Sequence, residues 1–246
     1  MRVWMPLPDN DFDTTEVAVP WKTLREKGHE VVFATERGGA APACDPRLIE
    51  GVIFGRLGAK PEAIAIYREL EQAPEFNAPV PWGEIEPAAF DGLVLAGGHA
   101  PGMRQYLGSE ELHRKVAEFW ALGRPVGAIC HGVLVLARAG VLAKSRTTCL
   151  PKPMERGAYV LTSWKLGRYY RTYPAYVEDE VVAALDDKRQ FERGPQATRP
   201  FVVEDGRYVS ARWPGDAKLF AERFEALLSA GPRQTPPAAA TPPQAT

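Results

Sequence analysis

A cysteine and a histidine, Cys130 and His131, are adjacent in the stretch VGAICHGVLV, where an apolar segment passes into a helix-like one. A thiol on a tight turn between a buried strand and a helix projects toward a ligand, and the first N–H groups of the helix favour an anion. We therefore expect Cys130 to be a nucleophile with a lowered pKa, and the His131 N–H to donate to an oxyanion. Gly127 and Gly132 would permit close backbone approach on either side. The alternative is that Cys130 is an ordinary buried apolar residue, as most free cysteines are.

The composition argues against nucleic acids and membranes as partners. The chain has 246 residues, is 45% hydrophobic and carries a net charge of -1, which is enough for one sizeable core but gives no basic surface for nucleic acid. It lacks an apolar run of about 20 residues, so no membrane partner is expected. The N-terminus does not read as a signal peptide, and a cytoplasmic location is the default expectation.

The cysteines and histidines also limit the possible chemistry. Cys44, Cys130 and Cys149 are widely spaced, which argues against a disulfide framework and allows a reduced functional thiol. His113 has no metal-ligand spacing to His99 or His131, so no metal is predicted. Cys44 lies in a Pro/Ala loop and is expected to be exposed, whereas Cys149 is expected in a buried strand.

The elements that would hold the cysteine alternate between strands and helices, which is typical of an α/β fold with parallel strands. The chain reads as one domain over residues 1–230, interrupted by an insertion over about 37–87 with two helices, and followed by a disordered tail over 231–246. A hairpin is predicted around Glu204–Gly206, and Asp216 is a candidate cap for the closing helix. The predicted strands are 2–8, 29–35, 91–98 and 124–129, and the main helices are 14–28, 109–123, 131–140 and 216–231.

Several stretches resemble one known family. FDGLVLAGGHAPG and RPVGAICHG, with the opening DFDTTEVAVPWKTLREKGHEVVFAT and the closing GRYVSARWPGDAKLFAERF, are similar to the ThiJ/PfpI family of the class I glutamine amidotransferase-like superfamily. The similarity is greatest to the branch that contains glyoxalase III and stress chaperones. It implies a flavodoxin-like three-layer sandwich with a mostly parallel, doubly wound sheet and a helical cap, often assembled as a homodimer.

The resemblance also implies the site. The family holds a glutamate against the nucleophile, and Glu16 matches that position. A carboxyl group beside a thiolate has a raised pKa, so it would carry a proton and could move protons during turnover. The other interpretation of Glu16 is an acidic residue in the first turn of a helix.

Further site residues follow from the same family pattern. Glu155 falls where the glyoxalase III branch supplies an acid to the histidine, although other members take that acid from a neighbouring subunit. Gly97 and Gly98 would complete an oxyanion hole with the His131 N–H, and His99 would line the pocket or face solvent. Glutaminases of the superfamily use a later His-x-Glu pair, and no histidine follows His131.

These residues favour a cofactor-free glyoxalase III that converts methylglyoxal to lactate through a hemithioacetal on Cys130. An amidase, a peptidase or a glutamine amidotransferase-like hydrolase could use the same nucleophile. A stress chaperone or a thiol redox sensor is the non-enzymatic alternative. The Tyr-rich stretch SWKLGRYYRTYPAY, residues 163–176, would be an amphipathic surface helix, a dimer face or a site for an acidic substrate.

Overall fold

A central seven-stranded sheet organises the computed structural model, which describes residues 1–171, 173–196 and 198–231. The strand order is β5-β3-β1-β6-β7-β9-β8, with β8 antiparallel to β9 and the other pairs parallel. The strands are β1 Arg2–Pro6, β2 Asn10–Phe12, β3 Glu30–Thr35, β4 Ala43–Cys44, β5 Val80–Pro81, β6 Gly92–Leu95, β7 Val126–Ile129, β8 Val202–Asp205 and β9 Tyr208–Ala211. The strands β2 and β4 form a separate small parallel sheet. The predicted α/β, mostly parallel fold is thus confirmed.

Helices cover both faces of the sheet. The helices are α1 Thr14–Glu26, α2 Pro46–Glu50, α3 Pro61–Leu70, α4 Pro74–Asn77, α5 Met103–Leu107, α6 Glu110–Ala121, α7 Val133–Arg138, α8 Lys152–Leu166, α9 Val177–Ala183 and α10 Ala217–Ser229. The helices α1, α3 and α10 pack together on one face, and α6, α7 and α9 pack together on the other. Within the described ranges, no helix has both the length and the apolar character needed to cross a membrane.

The buried residues form one continuous core that includes much of segment 37–87. Tyr67, Phe76 and Trp82 of that segment belong to the same cluster as Trp4 and Phe220. Of its two predicted helices, the first is reduced to the five residues of α2, because Gly51 adopts a φ of 90° and ends it. The single-domain boundary at residue 230 stays a prediction, and most of the predicted tail, residues 232–246, lies outside the described residues.

Three local predictions differ from the structure. Asp216 occupies the N-cap position of α10 but makes no capping hydrogen bond, because its carboxylate instead accepts from the Arg212 guanidinium at 2.8 Å and from the Phe201 N–H at 3.0 Å. Cys149 is buried as predicted but lies outside any strand. Cys44 is buried rather than exposed, because segment 37–87 packs over it and its N–H donates to the Tyr67 hydroxyl at 3.2 Å.

Candidate functional site

The predicted site residues meet at the carboxyl ends of three neighbouring strands. Glu16 lies in the first turn of α1, which follows β1; Gly97 follows β6; Cys130 follows β7. The chain continues from β1 to β3 in one direction and from β6 to β7 in the other, so the sheet has its topological switch point between β1 and β6. Crevices at such points are where open α/β sheets bind ligands.

The cysteine lies on a sharp turn. Cys130 has a φ of 58°, a left-handed conformation that non-glycine residues rarely adopt, and it opens a short 3-10 turn that precedes α7. Gly132 makes the turn possible, because a Cβ there would lie 2.2 Å from the Leu95 carbonyl oxygen. Gly127 likewise lies against the Phe220 ring, where a Cβ would be 2.8 Å away. The His131 N–H acts on the Cys130 thiol in the direction that lowers its pKa.

Glu16 is held against the cysteine from two sides. Its N–H and that of Thr15 donate to the Asp13 carboxylate, at 3.0 and 2.8 Å, which fixes the start of α1. Its Oε2 accepts from the Gly97 N–H at 2.9 Å, and a Cβ on Gly97 would lie 2.7 Å from that oxygen and 2.9 Å from the Cys130 Cβ. The carboxyl group is completely buried, and its Oε1 has no hydrogen-bond acceptor or donor partner of normal geometry among the described residues.

The Gly97 contact corrects part of the predicted oxyanion hole. Because the Gly97 N–H donates to Glu16, it is not available to a developing oxyanion. Gly98, in contrast, lines the cavity beside Cys130. The role of the Gly98 and His131 N–H groups as oxyanion donors stays a prediction.

The pKa values of both Glu16 and Cys130 are raised, which agrees with the prediction for Glu16 but not with that for the thiol. Burial raises the pKa of Glu16 well above its usual range, and the nearby Asp13 carboxylate adds to the rise. Burial also raises the pKa of Cys130, with the Glu16 charge as the second cause, so the expectation of a lowered thiol pKa was wrong. The His131 N–H acts in the expected direction but does not outweigh burial. Burial thus shifts both groups toward their protonated, uncharged forms, and the role of Glu16 as a proton donor stays a prediction.

His131 can receive a proton from the thiol. Its Nδ1 lies 3.4 Å from the Cys130 Sγ. Burial, followed by the neighbouring His99 and Arg138, lowers the pKa of His131 well below its usual range, which keeps the ring neutral. The His99 ring is 4.6 Å from that of His131 and lines the cavity, and burial lowers its pKa to about 4, with Arg171 adding to the fall.

Glu155 comes close to His131 from the first turn of α8. One oxygen of its carboxyl group, one ring nitrogen of His99 and one of His131 all lie within 4.8 Å of one another. Its Oε2 accepts from the Val177 N–H at 2.9 Å, and its Oε1 lies 3.7 Å from Arg171. Burial raises the pKa of Glu155 to about 7 despite these two contacts. Its proposed role in orienting His131 stays a prediction.

The same three residues offer the ligand types of a metal site, which their sequence spacing did not indicate. Neutral imidazoles and a carboxylate are common zinc ligands. The Arg171 guanidinium, however, already supplies a positive charge 3.7 Å from Glu155 and opposes a second cation there. We therefore derive no chemistry from a metal at this cluster.

Cys130 and Glu16 open into a cavity of about 390 Å³. The sequence did not reveal its walls, because they come from elements far apart in the chain. They are Asp13, Asp45, Leu48, Val52, Leu57, Gly98, His99, Leu150, Met154, Gly157, Ala158, Leu161, Thr162, Tyr170, Trp213 and Pro214. The cavity thus joins segment 37–87, on one side, to α8 on the other.

Two residues of the Tyr-rich stretch that lie just after α8 form hydrogen bonds with segment 37–87 on the other side of the cavity. The helix α8 ends at Leu166, and the hydroxyls of Tyr169 and Tyr170 donate to the Asp45 carboxylate at 3.1 and 2.9 Å. The prediction of a surface helix over residues 163–176 therefore holds only for its first residues. Asp13 and Asp45 were not predicted, although the Asp-Thr-Thr-Glu spacing at residue 13 was a helix-start signal.

Comparison with known proteins shows which family the chain belongs to. A family model described as ThiJ/PfpI family-like matches residues 7–195. The chain belongs to this family. It is 29% identical over 228 residues to a deglycase of Pyrococcus abyssi, which covers 93% of this chain and 99% of the relative. It is 28% identical over 225 residues to the deglycase PfpI of Pyrococcus furiosus, covering 90% and 96%.

The solved structures show the same fold for this ThiJ/PfpI-like chain. The structure of glyoxalase III from Candida albicans superposes with a TM-score of 0.68 at 19% identity, covering 92% of this chain and 97% of that one. The structure titled APC35852 gives a TM-score of 0.70 at 24% identity, covering 93% and 98%.

Proposed function

We propose that this protein is a cysteine-dependent, cofactor-free enzyme that converts an α-oxoaldehyde to a hydroxy acid, with methylglyoxal and lactate as the simplest pair. The observation that carries the proposal is the buried Glu16 carboxyl group, whose pKa is raised, held against Cys130 with the neutral His131 ring 3.4 Å from the sulfur. This arrangement supplies a nucleophile, a base and a proton donor within one buried cluster.

The proposed reaction begins with addition. The Cys130 thiol transfers its proton to His131, and the sulfur adds to the aldehyde carbon, giving a hemithioacetal whose oxygen receives a proton. Glu16, having given its proton to the hemithioacetal oxygen, takes the proton from that carbon while His131 gives its proton to the ketone oxygen, which produces an enediol. Glu16 then protonates the neighbouring carbon while the hydroxyl on the sulfur-bearing carbon loses its proton to His131, which gives a 2-hydroxy thioester. Water then cleaves the thioester, which releases the hydroxy acid and restores the thiol. The aldehyde carbon is oxidised and the ketone carbon reduced, so no external redox partner is needed.

Glu16 is the group that the proton transfers require. Its Oε1 is free to donate to the hemithioacetal oxygen or to return a proton to carbon, since Oε2 is committed to the Gly97 N–H. The same contact disfavours amide hydrolysis, because one N–H of the expected oxyanion hole is occupied. The raised pKa of Cys130 points the same way, since an aldehyde is far more electrophilic than an amide.

The proposal is tested by incubating the purified protein with methylglyoxal and measuring lactate. We expect turnover that is lost in Cys130→Ala and reduced at least a hundredfold in Glu16→Gln. Cys149→Ala is the matched control, because this thiol is also buried but lies outside the cavity. Lactate formation by Cys130→Ala equal to that of the unmodified protein would remove the reaction.

Deglycation is a second candidate, favoured by the names of the Pyrococcus relatives and by an acidic wall formed by Asp13 and Asp45 in the cavity. In this reaction the Cys130 sulfur would take the α-oxoaldehyde from its adduct with an amine or thiol. Such adducts also release free aldehyde spontaneously, so consumption of free methylglyoxal alone would mimic deglycation.

Action on free aldehyde and direct deglycation can be distinguished by how the rate of adduct loss depends on enzyme concentration. The adduct of methylglyoxal with N-acetylcysteine is mixed with increasing enzyme and followed by its absorbance. A rate that reaches a plateau at the spontaneous release rate indicates that the enzyme acts on free aldehyde. A rate that continues to rise in proportion to enzyme indicates direct deglycation.

A further inference from the structure

The cavity that contains Cys130 is much larger than methylglyoxal needs. It has a volume of about 390 Å³. Methylglyoxal has few non-hydrogen atoms and, at the roughly 30 Å³ that one water occupies in the liquid, would fill about 150 Å³ at most. More than half of the cavity is therefore left for a larger substituent.

The unfilled part has apolar walls. Leu48 and Val52 come from α2 and the loop after it, and Met154 and Leu161 come from α8, with Trp213 nearby. Apolar walls favour an apolar substituent, since moving apolar surface out of water is favourable.

The same apolar surface continues out of the cavity. Leu57 and Leu161 line the cavity and are nevertheless 59% and 61% exposed, so they form its mouth. Phe54 and Trp164, three residues from Leu57 and Leu161 respectively, are also exposed, and the centroids of their rings are 6.2 Å apart. A ligand that projects through this mouth would meet apolar side chains on both sides.

The charges of the cavity are all of one sign. Asp13 and Asp45 carry these charges, because the raised pKa of Glu16 favours its uncharged form, and no lysine or arginine is among the described residues that line the cavity. Asp45 is fixed in place by the two tyrosine hydroxyls that donate to it. A carboxylate or phosphate on the substrate would be desolvated beside like charges, which is unfavourable.

We infer, on the basis of the proposed function, that the preferred substrate is an α-oxoaldehyde with a bulky, apolar and non-anionic second substituent, such as an aryl group. Phenylglyoxal represents this class, methylglyoxal its smallest member, and 4-carboxyphenylglyoxal an anionic compound of nearly the same shape.

The first test compares initial rates with these three compounds. We expect kcat/KM for phenylglyoxal to exceed that for methylglyoxal at least tenfold, and to exceed that for 4-carboxyphenylglyoxal at least tenfold. Turnover of methylglyoxal that equals or exceeds that of phenylglyoxal overturns the inference and leaves the proposed function intact. Equal rates for the two aryl compounds overturn its charge component.

The second test places the selectivity at the mouth. Leu161→Asp should lower kcat/KM for phenylglyoxal at least fivefold more than it lowers that for methylglyoxal. Leu122→Asp is the control, because Leu122 is 42% exposed, follows α6 and does not line this cavity. Equal losses in both variants contradict the assignment.

A binding measurement decides the case in which no aldehyde is turned over, which would remove the proposed function. The Cys130→Ala protein is titrated with 2-hydroxyacetophenone and hydroxyacetone, uncharged compounds that cannot undergo the reaction. Binding of the aryl compound at least tenfold more tightly supports the inferred ligand class even then, and equal binding overturns it.

Discussion

Cys130 combines a strained backbone with a thiol that retains its proton. Its φ of 58° costs free energy that the surrounding packing must offset, and the benefit is a sulfur directed into the cavity. Burial outweighs the His131 N–H in setting its pKa. The thiol therefore depends on His131 and Glu16 for proton transfer during the reaction, rather than on a permanent thiolate.

The buried Glu155 carboxyl group is expected to make the stability of the protein depend on pH. Burial raises its pKa to about 7, so the folded state binds a proton more tightly than the unfolded state does. The resulting stabilisation is complete below the unfolded pKa, near 4.3, and is lost as the pH rises through about 7. Glu155→Gln does not titrate, so its stability relative to the unmodified protein should increase by roughly 3 kcal/mol between pH 4.5 and pH 8.

This prediction is checked by urea unfolding of both proteins at several pH values. Glu118→Gln is a suitable control, because Glu118 is a solvent-exposed residue of α6 that lies outside the cavity. A difference between Glu155→Gln and the unmodified protein that stays constant with pH, or that changes in the opposite direction, would contradict the raised pKa.

At the scale of elements, the site depends on how closely the turn after β7 approaches the end of β6. A Cβ on Gly132 would lie 2.2 Å from the Leu95 carbonyl oxygen, and this backbone atom cannot move without displacing the sheet. The contact keeps Cys130 level with Gly97, which in turn holds Glu16. The register of two parallel strands is thus coupled to the geometry of the thiol.

Two Gly→Ala substitutions should have opposite effects on stability. Gly132→Ala introduces the backbone clash and should lower the free energy of unfolding by about 1–3 kcal/mol, with loss of activity. Gly157→Ala lies within α8, where a Cβ would meet nothing within 4 Å, and should raise it by about 0.5–1 kcal/mol. Urea unfolding measures both, and a stabilising Gly132→Ala would refute the close approach.

On the scale of the whole molecule, segment 37–87 and α8 form the two sides of the cavity mouth and leave large apolar side chains in solvent. Phe54, Val160, Leu161 and Trp164 are between 60% and 78% exposed. Clusters of this kind on soluble proteins commonly mark sites of association. We therefore propose that a second copy of the chain packs on Phe54, Val160 and Trp164, beside the opening lined by Leu57 and Leu161, which stays accessible to substrate.

The expected measurement is sedimentation at micromolar concentration. The unmodified protein should sediment as a dimer, and Trp164→Glu should shift it toward monomer by placing a charge in the apolar face. Leu122→Glu is the matched control, because Leu122 is 42% exposed but follows α6, away from the mouth. A monomeric unmodified protein, or equal effects of both variants, would contradict the homodimer.

The sequence by itself determined the alternation of the main strands and helices and the position of the turn at Cys130, but not the short elements β2, β4, β5, α4, α5 and α9. These features follow from local patterns: the alternation of apolar strands with amphipathic helices, the glycine stops, and the Cys-His-Gly step from strand to helix. The hairpin β8–β9 was predictable for the same reason, since Gly206 follows two polar residues between apolar runs. Glu16 and Glu155 required the family resemblance, because nothing in their own neighbourhoods distinguishes them from helix-start acids.

Only the tertiary structure decided which side chains and backbone groups are in contact and which are shielded from water. The Gly97 N–H donates to Glu16, Cys44 is buried, and the pKa of Cys130 rises rather than falls. Each of these outcomes depends on distances between residues that are far apart in the chain, and on how much water remains between them. Desolvation is a property of the packed molecule, so no local pattern around Cys130 could have given its sign.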